Sequence, residues 1–253
     1  MRRIAVTDGM ADEAIKRLEQ ADCEVVRQFI EVEDLLDGAL ADFDAVIVRS
    51  ATKITKEILE VSTPGLKVVA RAGVGVDNID LDTASKLGIP VVNAPRASTQ
   101  SVVELTVAHL LGSLRYIPTA DRTLRSGKWA KKELTGTELY GKRLGLIGFG
   151  RIAQGVARVA QAFGMEVHSY DPYLPAAVAK KFDVSMHKTV DGLFKRCTHI
   201  SIHCNLTDET HHLVDSERIS MMPGKDPNNL PCGNHIVNCA RGGIIDETAA
   251  LEA

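Results

Sequence analysis

Short apolar runs alternate with stretches of helical period along the first part of the chain. Residues 4–6 lead into a helix at 11–21, 24–26 into one at 32–40, and 45–48 into one at 55–61. Residues 67–70 lead through a glycine-rich loop into a helix at 81–87, and 91–92 follow. Strands of a few apolar residues, each followed by a helix, predict βαβ units around a parallel sheet buried on both faces.

The rhythm then changes. Residues 98–115 read as one long helix carrying Val102, Val103, Leu105, Val107, Leu110, Leu111 and Leu114, with Pro118 expected to end or kink it. A polar helix at 119–126 and a loop holding the only tryptophan, Trp129, lead to a second alternating series. Its strands are expected at 143–147, 166–170, 199–202 and 236–239, its helices at 152–163 and 190–196, and a last helix begins at Asp246. The pattern predicts an α/β protein of two doubly wound parallel-sheet domains, 1–98 and 99–253, joined by the long helix. No fixed-period repeat is visible. The stretch 224–234 carries two prolines, two glycines and three asparagines. It exceeds the roughly 2–6 residues usual for such a connection, and is expected to be a surface insertion.

Composition narrows the function classes. Hydrophobic residues make up 45% and charged residues 25% of the 253 positions, which excludes a disordered or fibrous chain. Thirty basic against 33 acidic residues leave a net charge of −3, so no nucleic-acid partner is expected. No apolar run reaches the ~18 residues of a spanning helix, and the acidic residues soon after Met1-Arg2-Arg3 do not fit a signal peptide. No membrane association is expected. The five cysteines are odd in number, widely spaced and without a C-x-x-C pair, which suggests no disulfide framework and a reducing, cytoplasmic location. Cys232 and His235 lack a second ligand pair, so no metal is expected.

The strongest local signal is Gly148-Phe149-Gly150-Arg151-Ile152-Ala153, set between an apolar strand and a helix of small residues. Gly148 permits a tight turn, Gly150 lets the backbone approach a diphosphate, and Ala153 lets the helix pack closely on the strand. The N–H groups opening the helix, at Arg151 and Ile152, then face the phosphates. Asp171 ends the next strand, near the expected spacing of ~20 residues. A carboxylate there accepts hydrogen bonds from ribose hydroxyls and repels a 2′-phosphate, favouring NAD over NADP.

Arg241 follows the strand at 236–239, at the edge where open α/β sheets bind ligands. One guanidinium there can hold a carboxylate with its forked donors and polarise a neighbouring carbonyl oxygen. Arg71-Ala72-Gly73-Val74-Gly75 follows the strand at 67–70. Its glycines expose N–H groups that can form an anion nest; on the residues alone, an ordinary glycine turn is an equal reading. Asn93 ends the fifth strand. Thr106 is a lone threonine on the apolar long helix, and a bond to its own helix explains it as well as a ligand does. His203 closes the strand at 199–202, where a histidine is more often structural than catalytic.

These segments together resemble the D-isomer-specific 2-hydroxyacid dehydrogenases. The likeness rests on VTDGMADEAIKRL, IVRSATKIT, RAGVGVDNIDL, VVNAPRASTQSVVELTVAHLL, GLIGFGRIAQGVA, YDPYL, HCNLTDETHHLV and NCARGGIIDE, in the order the family has them. The resemblance implies a flavodoxin-like substrate domain at 1–98, lacking a C-terminal return segment, and a truncated Rossmann NAD domain at 99–253, with the active site in the cleft between domains. It implies that Arg241 clamps and polarises the substrate. It also implies that the Val74 and Gly75 amides bind the substrate carboxylate, that Arg71 reaches a substrate phosphate, and that Asn93 lies at the hinge beside the substrate. Thr106, His203, Thr207, Cys239 and Ala240 are implied to lie along the NAD. Asn205 stands where the family usually has proline, which bears on the stiffness of the loop carrying Thr207.

The family's proton donor is a histidine oriented by a glutamate, both downstream of the arginine motif. Glu247 is too close to Arg241 to be that glutamate, so the pair is expected beyond Ala253. A fragment of a longer enzyme and a natural short form are the competing explanations. The implied activity is hydride transfer between NAD and a D-2-hydroxy acid. Arg71 favours 3-phospho-D-glycerate, at the entry to serine synthesis. The alternatives are a non-catalytic, corepressor-like NAD-binding or sensor module, and a dehydrogenase of glycerate, lactate or formate. The resemblance also implies a homodimer formed through the long helix and the loop around Trp129.

Overall fold

The computed structural model describes residues 1–253 apart from the side chain of Ala176. The chain divides into two compact units, Met1–Ser98 and Thr99–Ala253.

The first unit runs β1 (Arg2–Val6), α1 (Asp12–Gln20), β2 (Cys23–Arg27), α2 (Val32–Leu36), β3 (Ala45–Val48), α3 (Lys56–Ser62), β4 (Val68–Arg71), α4 (Leu81–Lys86) and β5 (Val91–Asn93). All pairings are parallel, in the order β2-β1-β3-β4-β5, which is the flavodoxin-like order. Alternation along the strands divides the side chains between two faces. Ala5, Val46, Val48 and Val69 pack under Leu35, Leu40, Ile58, Leu59 and Ala84 from the side of α2, α3 and α4. Ile4 and Val6 pack against Ile15 of α1. The helix expected over 32–40 ends at Leu36, because Gly38 takes a φ of +87° that a continuing helix cannot accommodate.

The second unit runs α5 (Thr99–Leu114), α6 (Ile117–Arg125), β6 (Arg143–Ile147), α7 (Arg151–Ala162), β7 (Glu166–Tyr170), α8 (Ala176–Lys180), β8 (Ser185–Met186), α9 (Val190–Phe194), β9 (His199–Ile202), α10 (Ser216–Met221), β10 (His235–Asn238) and α11 (Glu247–Glu252). Its parallel sheet has the order β10-β9-β6-β7-β8. This is the doubly wound dinucleotide-binding order, whose topological switch point falls between β6 and β9. The core is built on β6 and β9, in which Leu144, Leu146, Ile200 and Ile202 are fully buried. Helix α5 buries Val103, Leu110 and Leu114. A Cβ on Gly155 would lie 2.6 Å from Val103, so that glycine is what lets α5 and α7 approach so closely.

Pro118 does not end the long helix. Helix α5 stops at Leu114, Tyr116 turns left-handed at φ 52°, and Pro118 falls in the first turn of α6, where its missing N–H costs nothing. Asp246 caps α11 by accepting from Thr248 and Ala249 N–H, and Asp80, Thr189 and Asp215 cap α4, α9 and α10 in the same way.

The 224–234 stretch is folded onto the body of its unit. The Asp226 side chain is only 3% exposed, lies 3.1 Å from the Lys142 ammonium, and accepts from Asn228 and Leu230 N–H at 2.9 Å. Cys232 is buried, and the Asn234 side chain accepts from Gly224 N–H at 2.9 Å. The tip, Pro227–Leu230, is exposed. No helix among the described residues is long and apolar enough to cross a membrane.

Candidate functional site

In the second unit the turn after β6 is braced on both sides. Gly148 N–H donates to the Tyr170 carbonyl and His203 N–H to the Ile147 carbonyl, each at 2.8 Å. Gly148 has φ +84°, and a Cβ there would lie 3.0 Å from the His203 carbonyl and 3.1 Å from Cys204 N. Conformation and space both demand glycine. Phe149 is fully buried with its ring edge-on to Phe182 at 5.6 Å.

Gly150 is the N-cap of α7 and offers no side-chain cap. The first intrahelical bond runs from Gln154 N–H to the Gly150 carbonyl, so the helix begins with amides that have no carbonyl of their own helix to meet. A Cβ on Gly150 would touch nothing within 4 Å. The space beside the turn is therefore open, unlike that at Gly148. The Asp171 carboxylate is fixed by three amides: Phe149 at 2.8 Å on one oxygen, Tyr173 at 2.9 Å and Leu174 at 3.1 Å on the other. A carboxylate has about four acceptor positions, so one remains for a ribose hydroxyl. An uncapped helix start, an open glycine and an oriented carboxylate fit a dinucleotide bound as NAD is.

The other predicted residues of this unit lie as follows. His203 is bonded to Ser201 Oγ at 2.9 Å, and burial pushes its imidazole down to about 4. It is a neutral ring at pH 7, and its backbone walls the Gly148 turn. Thr207 lies in an exposed turn whose stiffness comes from Thr210: that hydroxyl accepts from Thr207 N–H at 2.8 Å and lies 2.7 Å from the Asn205 carbonyl. It supplies rigidity that the absent proline does not. Thr106 is buried on α5 and donates to Val102 of its own helix at 2.8 Å.

Beyond β10, a hollow is lined by Asn238, Cys239, Ala240, Arg241, Gly242 and Gly243 together with Ile245 and Glu247. Arg241 Nη1 donates to the Ala240 carbonyl at 2.8 Å. Asn238 bonds to this loop twice, accepting from Ala240 N–H at 2.9 Å and donating to the Arg241 carbonyl at 2.8 Å. Gly148, Asp171, His203 and Cys239 each follow a strand of this one sheet, so the turn, the carboxylate and the Arg241 loop share its carboxyl edge. Cys232 and His235 sit at the opposite, amino edge, where the His235 ring stacks on His199 at 5.0 Å.

The first unit carries a second constellation, also at the carboxyl ends of its strands. The Arg71 guanidinium donates from Nε to Asn78 Oδ1 at 3.1 Å and lies over Gly73, where a Cβ would be 2.5 Å from its Nη1. Asn78 in turn donates to the Arg49 carbonyl at 2.8 Å and to the Thr52 carbonyl at 2.7 Å. Asp8 holds the same loop, accepting from Arg49 N–H at 2.6 Å, from Ala51 and Thr52 N–H at 3.1 Å, and from the Thr52 hydroxyl. Burial alone would raise the Asp8 carboxyl, but the bonds from Thr52, Arg49 and Thr7 outweigh it and hold the group below the usual carboxylate range. Asn93 donates to the Val74 carbonyl at 2.6 Å, and Ala94 N–H to the Gly73 carbonyl at 2.9 Å. Together they shape the turn that carries Val74 and Gly75.

Asp8, Asn78 and Asn238 were not among the expected site residues. Each is a polar residue at or shortly after a strand end that bonds to backbone, and its signal in the sequence is its place inside the VTDG, VDNID and NCARGG segments.

The family model described as D-isomer specific 2-hydroxyacid dehydrogenase, NAD binding domain, matches residues 107–253. A D-3-phosphoglycerate dehydrogenase of Methanocaldococcus jannaschii is 46% identical over 253 residues, covering all of this chain and 46% of that protein. A hydroxypyruvate reductase of Thermotoga maritima is 43% identical, covering 99% of this chain and 78% of that protein. A D-lactate dehydrogenase of Aquifex aeolicus, solved as a complex with NAD and lactic acid, superposes with a TM-score of 0.84 at 30% identity, covering 99% of this chain and 72% of that one. The chain spans about half the length of the phosphoglycerate dehydrogenase it matches. Strand order, the dinucleotide turn and these matches agree: the chain belongs to the D-isomer specific 2-hydroxyacid dehydrogenases.

Proposed function

We propose that the whole protein is an NAD-dependent oxidoreductase of D-2-hydroxy acids, with 3-phospho-D-glycerate as the substrate and serine biosynthesis as its setting. The observation that carries this reading is the Arg241 loop lying at the same sheet edge as the Gly148 turn. The second unit is the NAD domain. The amides opening α7 hold the diphosphate, and Asp171 holds the ribose and disfavours a 2′-phosphate. His203, Thr207, Thr106, Cys239 and Ala240 line the remainder. The first unit is the substrate domain. The amides of Val74 and Gly75 receive the acid's carboxylate, Asn93 holds their turn, and Arg71 meets the phosphate. The bound nicotinamide supplies the hydride acceptor. Arg241 orients the acid and stabilises negative charge on the oxygen at C2. By the family resemblance, the proton at that oxygen falls to a histidine oriented by a glutamate.

The relatives named phosphoglycerate dehydrogenase support the substrate, and Arg71 beside its glycine turn supports a phosphorylated one. The test is NADH formation by the full-length protein across a panel of D-2-hydroxy acids. The phosphorylated glycerate is expected to give the highest kcat/KM, and Arg241→Ala to lower it by about 10²–10³. NADH binding without turnover of any acid overturns the reading in favour of a non-catalytic nicotinamide-binding module.

We also propose a cytoplasmic homodimer. Helix α6 buries none of its residues, and Ile117, Leu124 and Trp129 are more than half exposed. This is apolar surface of the kind that marks an interface. Sedimentation of Leu124→Glu as a monomer, against a dimeric parent, is the expected result; a monomeric parent refutes it.

A further inference from the structure

We infer that Asn238 is a positioning residue for Arg241, acting through the loop that carries the guanidinium; this rests on the role given to Arg241 above. Three hydrogen bonds interlock over four residues. Asn238 Oδ1 accepts from Ala240 N–H, the Ala240 carbonyl accepts from Arg241 Nη1, and the Arg241 carbonyl accepts from Asn238 Nδ2. The lengths are 2.9, 2.8 and 2.8 Å. One side-chain amide thus fixes the backbone on both sides of the Ala240–Arg241 peptide, and that peptide's own oxygen anchors the guanidinium.

The residue type follows from the chemistry. The site needs an acceptor and a donor on separate atoms of one short side chain, which the two ends of the asparagine amide supply. Aspartate keeps the acceptor but sets a second oxygen against the Arg241 carbonyl. Serine reaches one partner, and alanine neither. Asn238 itself is fixed by the β9 pairing, in register with Ile202, and the far side of the loop is held where His212 N–H donates to the Gly243 carbonyl at 2.8 Å. Between those two points the Asn238 amide selects the conformation that aims residue 241. Its contact with substrate is not required. Misplacing a catalytic group by about 1 Å costs on the order of 10²-fold in rate, so the loss of this staple should show in turnover before it shows in folding.

The test uses the full-length protein with Asn238→Ala, Asn238→Asp, Arg241→Ala and the Asn238/Arg241 double alanine variant. Asn238→Ala is expected to lower kcat/KM about tenfold to a hundredfold. In the Arg241→Ala background the same change should cost less than about threefold, because a residue that acts through another has nothing left to position. Backbone exchange at Ala240 N–H should accelerate in Asn238→Ala and stay protected in Asn238→Asp, which nonetheless turns over slowly because the bond to the Arg241 carbonyl is gone. Equal penalties in both backgrounds, or wild-type kcat/KM in Asn238→Ala, overturn the inference. If Arg241→Ala itself turns over normally, the role given to Arg241 is wrong, while exchange at Ala240 still decides whether Asn238 holds the loop. Should Asn238→Ala fail to fold, Asn238→Ser takes its place in the cycle, and its penalty must likewise vanish without Arg241.

Discussion

Gly148 and Gly150 lie two residues apart in one motif, yet the structure gives them different duties, and a pair of alanine substitutions separates them. Gly148→Ala places a residue with a Cβ at φ +84°, which costs about 1–2 kcal/mol. The new methyl also meets the His203 carbonyl at 3.0 Å, and that backbone cannot retreat without stretching the His203–Ile147 hydrogen bond. The unfolded chain loses about 0.4–1 kcal/mol of conformational entropy in return. The net expectation is a loss of roughly 1–3 kcal/mol, or about 2–12 °C in melting temperature for a chain of this size. Gly150→Ala differs in every term. Its φ is −71°, which alanine adopts freely, and its Cβ would enter empty space. Alanine is a poorer N-cap than glycine, but the entropy gain is of similar size, so stability should stay within about 0.5 kcal/mol of the parent. The methyl, however, occupies the space through which a diphosphate approaches, and NADH affinity should fall at least tenfold, about 1.4 kcal/mol. Thermal melts with NADH fluorescence titration read both quantities. A Gly148→Ala protein that melts with the parent, or a Gly150→Ala protein that binds NADH as the parent does, refutes the reasoning.

Three further outcomes are expected. Asp171→Asn removes the charge that opposes a 2′-phosphate, so the ratio of NADPH to NADH affinity should rise at least tenfold; an unchanged ratio means the carboxylate does not face the ribose. Burial holds His199 at about 3 and His203 at about 4, against roughly 6.5 in an unfolded chain. The unfolded state therefore takes up protons first on acidification: this stability is complete well above about pH 6.5 and falls as pH drops from there, towards about 4 for His203 and about 3 for His199. Urea unfolding should show a loss of about 3 kcal/mol between pH 6.5 and 5, and a flat profile would count against both buried rings. Gly73→Ala pushes a methyl to 2.5 Å from Arg71 Nη1. Since the guanidinium must swing aside, KM should rise about tenfold for a phosphorylated acid and stay level for an unphosphorylated one; equal changes for both would separate Arg71 from the phosphate.

The α/β alternation was legible because parallel strands covered on both faces are written as unbroken apolar runs. Every residue of β9 is buried, as are four of the five in β6. The tight turn after β6 and its tie to residue 171 were legible because a glycine at 148 and an acid at 171 have no cheaper explanation together. Helix α10 escaped notice because it buries no residue and so writes no apolar stripe, and strand β8 because two residues carry no period. Pro118 misled because proline marks the first turn of a helix as readily as the end of one. The asparagines at 78 and 238 were hidden for a different reason. Their partners are backbone atoms brought within reach only by the finished loops, and no residue spacing records such a bond.

Asp226 and Lys142 tie down the root of the 224–234 excursion among the amino ends of β6, β9 and β10, whereas the Gly148 turn opens at the other rim of that sheet. Length or sequence variation at its solvent-facing tip, Asn228 and Asn229, is thereby insulated from the chemistry by the full depth of the strands. A fluorophore or purification handle grafted there should report on the molecule without perturbing what it binds.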